Sequence, residues 1–383
     1  MVPGPFGIDP LLWALLRLLI AVVLALFVIL NGALLLIYLE RKIQATMQDR
    51  IGPYHVGPFG LLQTLADALK LIAKEDVRAG ETERAFFIAA PALVFSPMLA
   101  SFVVLPFAPP LTGIDINIGL LYLTTLGSMG VLGIVIAGWA SNNKYALMGG
   151  LRSAGQLVSY EVPQILSLVT AVLVVGTLSL VEITEAQPGP LTNIFVIPLA
   201  FVTYFIAALA ETNRTPFDLP EAESELVAGY LTEYSGMRWG TMLALTEYGN
   251  VTVVCAIMST VWFGGWNGPG VEAFPVIGVV WFTLKTYAFI LAFMWIRATL
   301  PRMRIDQLMS FCWKVLIPVT LLNLGVTAAL LIAYTGDLRP VAAANWILLG
   351  AFFLGLPALQ QRRLRRLRER LRARTLGATG VAG

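Results

Sequence analysis

This chain has few charged residues and almost none that could hold an electron carrier. Of 383 residues, two are cysteine and one is histidine. Cys255 and Cys312 form no C-x-x-C pattern, whereas an iron–sulfur cluster takes about four thiolates. The single His55 excludes a bis-histidine haem. No G-x-x-x-x-G-K-[ST] or G-x-G-x-x-G run opens a helix, so neither ATP nor a dinucleotide has a recognisable cradle. We read no Fe–S, haem, flavin or metal site here. If the chain takes part in redox chemistry, its electrons must come from a partner. The two cysteines read as small apolar, buried residues.

Charged residues make up 13% of the chain and hydrophobic ones 57%, with a mean hydropathy of +0.78. A soluble domain has about 25% charged residues, and a spanning helix needs about 20 mostly apolar ones. Apolar runs near 11–39, 86–108, 118–140, 162–181, 194–211, 240–264, 276–300, 313–334 and 342–358 predict an all-α integral membrane protein of nine transmembrane helices. The first run is too long for a cleavable signal, and no small-residue cleavage site follows it. We divide the chain into a polytopic core, 1–335, and an extra helix with a basic tail, 336–383.

Placing the loops alternately on two sides puts 23 of the 26 Lys and Arg on one side. They fall in 41–84, 140–156, 212–239, 297–314 and the tail from 359. Only Arg17, Lys285 and Arg339 fall elsewhere. This asymmetry predicts an outside N-terminus and a cytoplasmic tail.

The segment Glu211–Gly236 sets six carboxylates against one arginine, directly after an apolar run. Glu211, Asp218, Glu221, Glu223, Glu225 and Glu233 surround Arg214. Acids at a membrane cost free energy unless solvated, paired or protonated, and are functional candidates by default. Pro220 at the first turn of a short helix, with Asp218 as its cap, is the structural alternative. Against that alternative, Asp218, Glu221 and Glu225 would share one face, where like charges repel. A proton-exchange site and a docking patch for a basic partner both stay open.

Three more acids sit at membrane level. Glu161 opens the fourth predicted helix, Glu211 ends the fifth, and Glu247 lies within the sixth. An ionised carboxylate there costs several kcal/mol unless paired. Each either carries protons or pairs statically with Arg214, Arg297 or Lys285; three in one chain favour a proton path.

The first predicted cytoplasmic segment, 40–76, begins turn-rich, with Gly52-Pro53 and Gly57-Pro58. An amphipathic helix comes next: Leu61, Leu62, Leu65, Leu69 and Ile72 share one face, Gln63, Asp67, Lys70 and Lys74 the other, with Leu71 the exception. It reads as an interfacial helix or as one covering a neighbouring subunit. Beside Glu40, Arg41 and Arg50, an interfacial helix would frame a cavity open to the bilayer.

The chain resembles the H-subunit family of bacterial NADH-quinone oxidoreductase, the counterpart of mitochondrially encoded subunit 1 of respiratory complex I. Four segments carry the resemblance: 40–76, GWASNNKYALMGGLRSAGQLVSYEVP at 138–163, 211–236 with the adjoining TEYGN, and WIRATLPRMRIDQLMSFCWKVLIP at 295–318. They run across the first eight predicted helices. The resemblance implies an eight-helix core, here with a ninth helix added, that forms much of a quinone chamber.

By motif match, Glu40, Arg41, Arg50, Asp67 and Lys70 would line or support the chamber and its entrance, with Arg214, Arg297 and Arg302 among its polar residues. Asp218, Glu221, Glu223 and Glu225 would form an acidic funnel. Glu211, Glu161 and Glu247 would carry protons or a signal onward. Quinone would be a bound substrate. FMN and Fe–S clusters would sit in partner subunits, beside small membrane and antiporter-like subunits. The implied location is the bacterial inner membrane.

The chain departs from that family in three places. Tyr54-His55 replaces the usual Asn-Arg, Thr64 replaces proline, and residues 340–383 add the ninth helix and the tail QQRRLRRLRERLRAR. Leu364, Leu367 and Leu371 make that tail a candidate amphipathic helix on anionic lipid, with a solvated tail that only enforces orientation as the alternative, and with no role in nucleic-acid binding. A homologous component of another membrane-bound dehydrogenase or hydrogenase is the alternative. A stand-alone transporter is disfavoured by the lack of an internal repeat.

Overall fold

The computed structural model describes residues 32–109, 113–187, 192–218, 227–334 and 337–355. Most of the first predicted helix, the acids Glu221, Glu223 and Glu225, and the basic tail lie outside these residues.

The described residues are helical, without β-strands. In order they are α1 (32–47), α2 (Gln63–Ala73), α3 (Arg84–Val104), α4 (Gly119–Ala140), α5 (Lys144–Val175), α6 (Leu180–Glu185), α7 (Pro198–Glu211), α8 (Gly236–Phe263), α9 (Ile277–Thr299), α10 (Ile305–Ala333) and α11 (Leu338–Gly355). Seven of these (α3, α4, α5, α8, α9, α10 and α11) are long and apolar enough to cross a membrane. This is a multi-pass membrane protein.

The short helix α7 lies at the centre. Its 14 residues would extend about 21 Å, less than the ~30 Å of a hydrocarbon core. Leu199, Ala200, Tyr204, Ala207, Ala208 and Ala210 are all buried, because α7 packs against α5, α8 and α10. Its small residues let those neighbours approach.

Two expected boundaries are corrected. The predicted loop 140–156 is helical, so Glu161 lies in the middle of the 32-residue α5 rather than at its start. The Asn143 side chain accepts from Tyr145 N and caps that helix at 2.9 Å. The polar appearance of 144–156 hid a packing face: a Cβ on Gly149 would fall 2.6 Å from Gly229 Cα. Likewise α10 starts at Ile305, eight residues before the predicted 313, because Cys312–Leu316 continues it as a π-turn.

The loops expected to share one side do meet. Glu83 N donates to Ala140 O at 3.1 Å and Met303 N to Pro216 O at 3.0 Å. Val77 N donates to Ser235 Oγ at 3.0 Å, and Arg238 pairs with Asp76 at 2.9 Å. On this side α2 turns Thr64 and Leu71 inward, with Leu71 against Gly240. That contact explains Leu71 on an otherwise polar face. Leu61, Leu62, Leu65, Leu69 and Ile72 stay exposed, free to meet lipid or another subunit.

At the opposite side, Lys285 donates to the carbonyls of Phe263, Gly265 and Asn267 at 2.7, 2.9 and 2.7 Å. It caps the C-terminus of α8, where a cation meets the negative end of the helix dipole. The expectation that Lys285 could neutralise a membrane carboxylate is therefore corrected.

Candidate functional site

Three elements meet at one buried carboxylate. Glu40, on α1, is 4% exposed. Arg214 Nη1 donates to its two oxygens at 2.9 and 2.7 Å, Arg297 Nη1 donates at 2.5 Å, and Gln44 Nε2 at 3.2 Å. Arg297 comes from the last turn of α9 and Arg214 from the turn after α7. A buried arginine stays charged and needs its donors satisfied. Here the Tyr248 ring also lies under its guanidinium, 4.5 Å to the centroid. On its other edge, Arg214 Nε lies 3.3 Å from Glu247 Oε1. Glu247 thus has the static partner that its sequence allowed.

Glu211 and Glu161 do not pair with these arginines. Ser128 Oγ, on α4, donates to Glu161 at 2.5 Å. Glu211 Oε2 is buried without a hydrogen-bond partner. Both carboxyl groups line a cavity of about 80 Å³ together with Gln164, Asn213 and Asn250. A second cavity of about 40 Å³ is lined by Glu211, Asn213 and Asn250 again, and by Thr246 and Glu247. Three acids distant in sequence therefore border two adjoining cavities whose walls are otherwise largely apolar.

The turn after α7 is held from α5. Gln156 Nε2 donates to Ala210 O at 2.8 Å, Phe217 O at 2.6 Å and Asn213 Oδ1 at 3.2 Å. This clasp fixes Arg214 between Glu211 and Asp218. Asp218, itself buried, meets Arg302 at 3.0 Å. Arg302 thus meets the acid segment at Asp218.

Three further candidates, Arg41, Arg50 and Asp67, gather at a separate place on the same side. Arg41 bonds Asp67 at 2.5 Å, and Gln63 donates to Asp67 at 3.1 Å. With Arg50, Tyr54 and His55 they border an open cavity of about 630 Å³. Lys70 is exposed on α2. Among the described residues, no cluster of three or more His, Cys, Asp or Glu could hold a metal ion.

A family model described as NADH dehydrogenase matches residues 19–328, most of the chain. The chain belongs to the NADH dehydrogenase family. Other members, named as the H-subunit of NADH-quinone oxidoreductase, are similar to it over nearly their whole length. The one from Brevibacillus brevis is 50% identical over 311 residues, covering 81% of this chain and 91% of that protein. That of Chlorobaculum parvum is 48% identical, covering 76% and 86%, and that of Rhodospirillum centenum 49%, covering 82% and 94%. As a member of the NADH dehydrogenase family, this chain is a membrane component of an oxidoreductase. Helix α11 lies beyond the family match.

Several residues at the site have no functional mark of their own in the sequence, although Gln156 and Tyr248 lie in segments that carry the family resemblance. Gln156 sits in a stretch that reads as a loop, and Tyr248 and Ser128 read as ordinary helix residues. The π-turn Thr241–Leu245, closed by Thr246 Oγ1 on Thr241 O at 2.8 Å, directly precedes Glu247. Such turns recur at functional sites but leave no periodic trace long enough to read. The TEYGN run was the one available pointer to Tyr248 and Asn250.

Proposed function

We propose that this chain is the membrane subunit of a proton-translocating NADH-quinone oxidoreductase, located in the bacterial inner membrane. It forms much of the quinone chamber and links quinone reduction to proton movement. The names of its relatives support the complex and the substrate. The observation that carries the finer reading is the Glu40–Arg214–Arg297 group, whose Arg214 also touches Glu247.

In this reading Arg41, Arg50, Asp67 and Lys70 flank the way in. The exposed leucines of α2 suit a lipid-borne substrate, which would enter beside an interfacial helix. Glu40, Arg214 and Arg297 supply polar groups within the chamber. Asp218, with Arg302, and Glu221, Glu223 and Glu225 form the acidic funnel. Glu247, Glu211 and Glu161 relay protons or charge through the two adjoining cavities. This chain binds and orients quinone and moves protons, while electrons come from FMN and Fe–S clusters in partner subunits. Its partners would be the hydrophilic quinone-site subunits, the small membrane subunits, the antiporter-like subunits and anionic lipids at the basic tail.

The test is affinity purification of the tagged chain in mild detergent, followed by an assay of NADH-driven quinone reduction. Inhibitor-sensitive activity in a large assembly is expected. Reduction of quinone from another donor, or hydrogen evolution, would move the chain to a related membrane dehydrogenase or hydrogenase.

A further inference from the structure

Arg214 belongs to both halves of the site. Its Nη1 donates to Glu40 at 2.9 and 2.7 Å, while its Nε faces Glu247 at 3.3 Å. A guanidinium presents donors along separate edges of a rigid plane, which a lysine ammonium cannot do. The side chain is 4% exposed, so these interactions act with little water between them. Arg214 is carried on a short turn, not on a helix. Its N donates to Leu209 O at 3.3 Å and its O accepts from Phe217 N at 2.9 Å. Glu211 lies three residues before it and Asp218 four residues after. Any displacement of the 212–218 turn therefore moves the guanidinium against both carboxyl groups, while Glu40 keeps Arg297 at 2.5 Å.

We propose that Arg214 is a shared positioning residue whose simultaneous hold on Glu40 and Glu247 makes a change of charge in the chamber felt at the acid path. This rests on the functional reading above. Negative charge added near Glu40 draws the guanidinium toward it and away from Glu247. A weaker cation beside Glu247 favours its protonated form, the proton arriving from the acids that border the adjoining cavities. When the guanidinium returns, the proton leaves. Coupling of this kind requires one element that both sites bias, and Arg214 touches both.

The experiment is a mutant cycle on the whole complex reconstituted in liposomes. Glu40→Gln, Glu247→Gln and their double variant are prepared with native Arg214 and again with Arg214→Lys. NADH-driven quinone reduction, proton uptake and protons moved per electron are measured after assembly is verified by native gel. With native Arg214, the double variant's coupled rate should depart at least about fivefold from the product of the single effects. With Arg214→Lys, the effects should simply multiply.

Simple multiplication with native Arg214 overturns the proposal while leaving the functional reading in place. If Arg214→Lys fails to assemble, the cycle with native Arg214 decides alone. If no assembled variant alters reduction or proton movement, the functional reading falls and takes this inference with it.

Discussion

At the scale of single residues, the carboxyl groups differ in what meets them. Glu247 faces a guanidinium, whereas Glu211 turns a buried, unbonded oxygen toward a cavity. Glu211 can exchange a proton without first breaking an ion pair, whereas Asp218, held by Arg302 at 3.0 Å, exchanges one only by loosening that pair. We expect Glu211→Gln or Asp218→Asn to depress quinone reduction, proton transfer or both, with the complex still assembled on a native gel. Normal coupled activity in an assembled double variant would remove the basis for assigning them. His55 is exposed at the rim of an open cavity, in edge contact with Tyr54 at 6.1 Å. His55→Arg is therefore expected to assemble and turn over at close to the native rate. Loss of assembly in that variant would mean that the rim has been rebuilt around the smaller ring. The acids themselves were legible in the sequence, because charge is rare in apolar runs. Their partners were not, since pairing depends on which helices meet.

At the scale of elements, close approach decides more than propensity. A Cβ at Gly149 would fall 2.6 to 2.8 Å from the backbone of Gly229 and Tyr230, atoms that cannot swing away. Gly155, further along the same helix, has nothing within 4 Å. Gly149→Val is expected to lower stability by about 1–3 kcal/mol, the usual cost of overpacking. Gly155→Ala should be neutral or slightly stabilising. Thermal inactivation of the purified complex compares them, and equal midpoints would refute the packing argument. The π-turns in α8 and α10 are the other lesson at this scale. Each adds one residue to a helical turn and re-aims the side chains after it, Glu247 in one case. A 3.6-residue periodicity cannot report a single inserted residue.

At the scale of the whole molecule, the loops rich in Lys and Arg lie together and bond to one another across one end. The opposite end carries the Lys285 cap and the polar contacts of Gln187 with Thr260 and Val261. Both native cysteines are buried, so introduced thiols can be labelled selectively. Lys74→Cys should react from the cytoplasmic side of oriented membranes and Glu272→Cys only from the outside. Labelling of both from one side would overturn the orientation read from the basic residues.

The sequence alone determined the membrane class, the rough spans, the sharing of loops between two sides and the identity of the acids. Each depends on composition or on short runs, where local hydropathy outweighs other terms. Tertiary structure decided that 144–156 is helix, that Lys285 caps carbonyls, and that Glu40, Arg214, Arg297 and Glu247 form one group. Glu40 and Arg297 are 257 positions apart, and no local pattern relates them. They meet because burying each of these side chains is costly unless another buried group of opposite charge is there to receive it.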